Sequence, residues 1–246
     1  MTGTTTINTP EATRPQFGEE AKMIALGMAD MPVEELARIL KINPKLATES
    51  YLRFQAFHSP EPSPIPALAA YTGVVFKHIH PEDFSMEDFR FAQEHLRIVS
   101  ICYGLLRPLD AIKPYRMEYE VGFPETGTEN MYTFWRPRQT QVLINNVRQD
   151  DGILFNLASQ EVQPAFDWKA VEREARVITP EFKVWKNGKA KTIVIYTKMA
   201  RGEMCRYIIK RKINDPEALK AFQWEGFRYN EVMSDENRWV FLQDEL

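Results

Sequence analysis

From Gly18 to Tyr103 the apolar residues mostly recur three or four positions apart, the spacing that gives a helix one buried face. Gly18 to Met28 is predicted helical, with Met23, Ile24 and Leu26 inward. Pro32 suits the first turn of a second helix, VEELARILKI, which carries Leu36, Ile39 and Leu40 on one face. Asn43-Pro44 breaks it, and a third helix is expected from Lys45 to Phe57. The proline-rich run Ser59 to Pro66 is a stiff connector, and Ala67 to Phe76 has room for a strand. Ser85 opens a capping box completed by Asp88. The helix after it is read as far as Tyr103, with Phe89, Ala92, Leu96, Val99 and Tyr103 as a core stripe ended by Gly104.

Beyond Gly104 the pattern alternates between helix and strand. Arg138 to Arg148 and Trp168 to Glu174 read as helices, and Gly152 to Ala158 as a buried strand. A further strand begins at Val177-Ile178 and runs to Lys186-Asn187-Gly188-Lys189. This is a two-residue hairpin signal, because Asn and Gly accept the positive φ of a type I′ turn. Thr192 to Tyr196 is β-rich and reads as the next strand, Thr197 to Gly202 as a loop, and Glu203 to Lys212 as a helix. Pro216 to Phe222 is predicted helical and Arg238 to Leu242 a last strand. The expected class is mixed α+β over one domain spanning 1–246, with a central mixed sheet.

Charge singles out one stretch. The chain of 246 residues has a net charge of −3, yet Lys183 to Lys212 holds ten Lys/Arg and the one acid Glu203. The remainder, from Ile213, holds eight acids and three bases. An acidic chain does not coat nucleic acid wholesale, so any such contact must be a patch. If the helix begins at Glu203, its unpartnered N–H groups together with Lys198, Arg201, Gly202 and Arg206 form an anion cradle. The competing reading is a solubilised hairpin followed by lysines at the negative end of a helix dipole. Lys41 and Lys45 flank the turn between the second and third helices. These helices, about residues 32–57, have the outline of a helix-hairpin-helix, a device that holds DNA phosphates on backbone N–H groups. Pro44 has no N–H to give, which equally suits a purely structural hairpin.

Other motifs bound the chemistry. Arg107, Asp110, Lys113 and Arg116 crowd a proline-punctuated turn, so Arg107 and Asp110 form either a structural ion pair or a ligand contact. Asn156, Ser159 and Glu161 stand just past the end of a strand, where sites form in α/β architectures. His78 and His80 lack further ligands at metal spacing, so no metal site is expected. No cofactor fingerprint, nucleophile elbow or phosphate loop occurs, and spacing names no catalytic residue. Cys102 and Cys205 read as buried, reduced thiols. No stretch is long and apolar enough for a membrane helix, and the polar N-terminus gives no reason to expect secretion.

The blocks FAQEHLRIVSICYGLLRPLD, YGLLRPLDAIKPYRMEY, NLASQE and YTKMARGEMCRYII together resemble the peroxide-stress protein YaaA family, from about Tyr71 to the C-terminus and less closely back through Asn43-Pro44. The resemblance implies a cytosolic protein with a central sheet or half-barrel wrapped by helices. It further implies a helix-hairpin-helix beside a basic cleft, DNA binding, and protection against hydrogen peroxide through less free iron. The positions Arg107, Asp110, Arg116, Asn156, Ser159, Glu161, Lys198, Arg201 and Gly202 match the family's motifs. Double-stranded DNA is the expected partner, and a small phosphorylated or carboxylated ligand the alternative; no cofactor is expected. Three departures stand out. The family's opening apolar strand and Ser-Pro-Ala-Lys-like turn are expected ahead of Met1, which leaves a sheet edge open. Val74 replaces an acid, and Lys198-Met199 replaces tandem lysines.

Overall fold

The computed structural model describes residues 1–123 and 127–243. The first three helices are α1 (Gly18–Ala29), α2 (Val33–Ile39) and α3 (Pro44–Gln55). In α1 the buried positions are Ala21, Ile24, Ala25 and Met28, while Met23 and Leu26, expected inward, are exposed. The small alanines let the helix sit close to the core and turn its larger flanking residues outward. Asn43 caps α3 by accepting from the Leu46 N–H at 2.9 Å, and α2 packs on α3 across the turn. Lys113 Nζ donates to the Ala56 and Ser59 carbonyls and so stabilises the negative end of α3.

The chain continues through β1 (Ile65–Pro66), α4 (Ala67–Ala70), α5 (Val74–Ile79) and α6 (Met86–His95). Ala67 to Phe76 therefore holds α4 and the start of α5, separated at residues 71–73, where a strand was expected. Both halves of the Ser85–Asp88 capping box are formed. The core stripe read as one helix to Tyr103 stops at His95. It gives way to the hairpin β2 (Ile98–Ser100) and β3 (Gly104–Leu106), which Gly104 enters at φ +67°. β4 (Ala111–Ile112) pairs with β1. Next comes α7 (Met131–Gln149), whose start was placed seven residues late because Pro137 reads as a break. Here Asn130 caps the N-terminus and α7 absorbs Pro137 within its interior.

After α7 come β5 (Ile153–Phe155), α8 (Trp168–Glu174), β6 (Arg176–Lys186) and β7 (Lys189–Lys191). Then follow α9 (Val194–Arg211), β8 (Gln223–Trp224), β9 (Phe227–Tyr229) and β10 (Arg238–Gln243). Strand order is β5-β6-β10-β9-β8, with β7 on β6, and the mixed sheet curls as a half-barrel. β6 is parallel to both β5 and β10 and antiparallel to β7. Alternate residues of β6 face opposite sides. Val177 joins a large core with α1, α3, α6 and α7, whereas Ile178 and Phe182 join a second core with Phe222, Trp239 and Phe241.

α9 lies between these cores. Its Cys205 and Ile209 belong to the first, and its Ala200 and Met204 to the second. That double packing decides the conformation of Thr192 to Tyr196. A strand was expected there from β-branched content, but α9 already starts at Val194 and runs unbroken for 18 residues. Burial of both flanks outweighs local propensity, which spans only about 1 kcal/mol per residue. Val194, Ile195 and Tyr196 are left largely exposed.

Candidate anion-binding site

Because α9 begins at Val194, the cradle expected ahead of Glu203 does not form: Gly202 and Glu203 lie inside the helix with their backbone groups in its hydrogen-bond ladder. Gly202 has a packing role. A Cβ built there would stand 2.6 Å from His78 Cβ and closer still to the Val75 carbonyl, so glycine is what lets α5 and α9 touch. The same seam carries a hydrogen bond between His78 Nδ1 and Glu203 Oε1 at 2.8 Å.

Much of the basic stretch is neutralised internally. Arg206 engages both Asp83 oxygens, at 2.7 and 2.5 Å, and the carbonyls of Ile79 and His80. The hydrogen bonds from Arg206 hold the Asp83 carboxyl below the usual range. Lys210 and Lys212 both bond to Asp88. Burial opposes ionisation of Asp88, but donors from Lys212, the Ser85 amide and Lys210 outweigh it and keep its carboxyl well below the ordinary value. Lys183 pairs with Glu181 at 2.9 Å.

What remains is a smaller set on one side of the sheet. The β6–β7 register places Lys186 opposite Lys189 and Val184 opposite Lys191. Residues 184 and 186 share a face with their partners, so all three lysines project from the Val184 side. That is the side of Ile178 and Phe182, against which α9 packs. Lys186, Lys189 and Lys191 are exposed and have no ion pair among the described residues. Like charges directly opposite destabilise a hairpin, which gives the Lys186–Lys189 pair a cost that folding does not return. They are the lysines of the basic hairpin, expected from the sequence as a DNA contact, and the Asn187-Gly188 turn fixes the parity that aligns them.

α9 begins immediately after this hairpin. Its N-cap Ile193 offers no side-chain acceptor, so the first N–H groups of α9 point outward. Lys198, one turn in, is exposed and unpaired among the described residues. Arg201 is half-buried, its Nε is buried with no partner, and burial lowers its pKa with no carboxylate acting on it. One turn earlier on the same face, the buried Thr197 Oγ1 also lacks a partner.

The other expected residues fall into separate groups. Asp110, 1% exposed, accepts from Thr13 Oγ1 at 2.6 Å, from the Arg107 amide at 2.8 Å and from the Arg107 guanidinium. Arg107 also reaches the Arg14 carbonyl, so this pair pins residues 13 and 14 to the 107–111 turn. Arg116, Lys41 and Glu161 gather around Glu118. Burial raises its pKa, Arg116 and Lys41 lower it, and Glu161 and Glu120 raise it. Lys45 is exposed at the start of α3. Asn156 is buried and caps its own turn through the Ala158 amide, and Ser159 begins the 3-10 turn Gln160–Ala165.

Two further chemistries can be weighed. Among the described residues no three His, Cys, Asp or Glu side chains are grouped to hold a metal ion. Both cysteines are buried. Burial pushes the Cys102 thiol far up and the Cys205 thiol up to about 12. A peroxide-reducing cysteine needs a lowered pKa, because the thiolate is the nucleophile. Iodoacetamide is therefore expected to leave both thiols unmodified in the native protein at pH 7 over minutes, and to alkylate both in denaturant. Mass spectrometry reads the outcome, and rapid native labelling of either cysteine would contradict this assignment. Two surface depressions, one around Arg136 and Trp168 and one around Arg90 and Lys212, open widely to solvent and contain none of the expected site residues. No helix among the described residues is long and apolar enough to cross a membrane.

Comparison with known proteins places this geometry in a lineage. The family model described as peroxide stress protein YaaA matches residues 1–233. A UPF0246 protein of Parabacteroides distasonis is 63% identical over 244 residues, covering 99% of this chain and 96% of that protein. A Bacteroides fragilis relative, UPF0246 protein BF3795, is 56% identical over 241 residues, covering 98% and 94%. One from Porphyromonas gingivalis is 44% identical over 236 residues, covering 94% and 91%.

Proposed function

The chain belongs to the family of the peroxide stress protein YaaA, and on that premise we propose that it protects against hydrogen peroxide by holding duplex DNA without regard to sequence. The observation that carries the reading is the set of cations left free by internal pairing: Lys186, Lys189, Lys191 and Lys198, on the side of the sheet where α9 begins. Arg206 is committed to Asp83, and Gly202 to the α5–α9 contact. The α2–α3 turn is proposed as a second, helix-hairpin-helix contact. There Pro44 lacks an N–H and Asn43 has claimed that of Leu46, so Lys41 and Lys45 must act mainly through their side chains. Cations on a duplex release condensed counterions. Ferrous iron held by the phosphates would be displaced with them, away from the strand where peroxide would turn it into hydroxyl radical.

Fluorescence anisotropy with labelled duplexes of unrelated sequence is the test. Affinity should be the same for each duplex, with Kd on the order of 10 μM near physiological salt. The plot of log K against log salt should slope by about −5, near 0.9 for each of the six lysines proposed to meet phosphates. Absence of binding at about 50 mM salt would refute the reading.

A further inference from the structure

Among the described residues four buried side-chain atoms lack a partner, on Tyr119, Gln139, Thr197 and Arg201, and the last two stand one turn apart on α9. Hydroxyls in the other helices are satisfied by the carbonyl one turn back: Thr48 by Pro44 at 3.0 Å, Ser50 by Leu46 at 2.8 Å and Thr140 by Arg136 at 2.6 Å. Thr197 is 8% exposed, yet its Oγ1 bonds to nothing, although the Ile193 carbonyl is in place and accepts the Thr197 N–H at 2.9 Å. The partly buried arginines repeat the contrast. Arg97 is held by Asn146 and three carbonyls, Arg107 by Asp110 and the Arg14 carbonyl, and Arg206 by Asp83 and two carbonyls. Arg201 has no carboxylate and no carbonyl among the described residues, and its Nε is buried. A buried donor left unpaired costs about 1–3 kcal/mol, more when charged, so two of them one turn apart on a helix need a common explanation.

Their geometry supplies one. Residues four apart on a helix face the same way, so the Thr197 hydroxyl and the Arg201 guanidinium address one spot. Thr197 Oγ1 and Arg201 Nε are shielded from solvent, Arg201 as a whole is only half-buried, and exposed Lys198 stands one turn from Arg201. The outward N–H groups of α9 begin one turn before Thr197. A forked cation, a hydroxyl donor, a lysine and a helix N-terminus are the donors that a tetrahedral dianion satisfies and a single carboxylate does not.

We propose that Thr197 and Arg201 form the seat of a small phosphate group, as inorganic phosphate or a phosphomonoester, which shares only Lys198, at its rim, with the lysines proposed to track DNA. Inorganic phosphate is the probe, against acetate at equal ionic strength. For the full chain, calorimetry is expected to give one phosphate per molecule. The melting temperature should rise by about 5 °C or more over two decades of phosphate above Kd, since a ligand of the native state stabilises it logarithmically. Thr197→Val removes an orphaned hydroxyl without changing size. It should fold at least as stably in phosphate-free buffer and bind phosphate about tenfold more weakly. Arg201→Gln should abolish the binding. Equal responses to phosphate and acetate, no stabilisation of the wild type, or an undiminished response in folded Thr197→Val would each overturn the proposal. Duplex binding by the same Thr197→Val protein should stay unchanged. A phosphate response without duplex binding would leave this seat standing and remove only the DNA reading.

Discussion

Gly202→Ala should destabilise the protein by about 3 kcal/mol, the upper part of the range for forcing a methyl group into a packed contact. The new Cβ would meet His78 Cβ at 2.6 Å and the Val75 carbonyl more closely, and neither is the free end of a flexible chain. α5 would have to back away from α9 along most of its length. The cost includes the His78–Glu203 hydrogen bond and the grip of Arg206 on the α5 C-terminus, where it holds the Ile79 and His80 carbonyls. Urea unfolding reads the effect as a lower midpoint at unchanged slope. Gly18→Ala is the control, since nothing lies within 4 Å of the built Cβ there, and its expected change is within about 0.5 kcal/mol. A Gly202→Ala protein as stable as wild type would mean that α5 and α9 do not touch at this point.

Asp110→Asn is expected to cost roughly 2–3 kcal/mol, because hydrogen bonds to a charged acceptor are worth more than neutral ones and this carboxylate takes several. Asparagine keeps the size but can accept at only one atom, while its amide nitrogen would face the Thr13 hydroxyl or the Arg107 donors. The damage should be local as well as global. Thr13 is clamped between the Leu109 carbonyl and the Ala111 amide, and Gln93 ties the Thr13 hydroxyl to the Leu109 amide. Hydrogen exchange at the Thr13 and Ala111 amides should speed up more than exchange in α7. Uniform acceleration across the chain would show that the pair does not serve as a clamp.

Those residues also mark how far the sequence could be read. The mixed α+β class, the family, the Ser85–Asp88 box, the helix break at Asn43-Pro44 and the NG hairpin are all local or compositional signals, and each is borne out. Arg107 and Asp110 left two readings open because the deciding partner, Thr13, lies 97 positions from Asp110. α9 was misread for a related reason. TIVIY has strand propensity, but a helix wedged between two cores follows packing on α5 and β6, which no local window contains. That error moved the expected helix start nine residues, from Val194 to Glu203, and brought Gly202 and Arg206 into the anion cradle. The internal acids were equally hidden, since Asp83 and Asp88 are more than 120 positions from Arg206, Lys210 and Lys212. Ten cations in a row of thirty residues suggested a continuous basic wall, whereas pairing leaves a hairpin edge and the start of one helix.

The salt dependence of duplex binding by Lys186→Gln/Lys189→Gln/Lys191→Gln, measured beside wild type, bears most directly on that remaining edge. The substitutions relieve like-charge repulsion on an exposed hairpin, so folding should be unharmed. If these lysines meet phosphates, affinity at low salt should fall at least tenfold and the slope of log K against log salt should flatten by between two and three, about 0.9 for each phosphate no longer neutralised. A triple variant that binds duplex with the wild-type slope would place the DNA-binding edge elsewhere on the molecule and contradict the account.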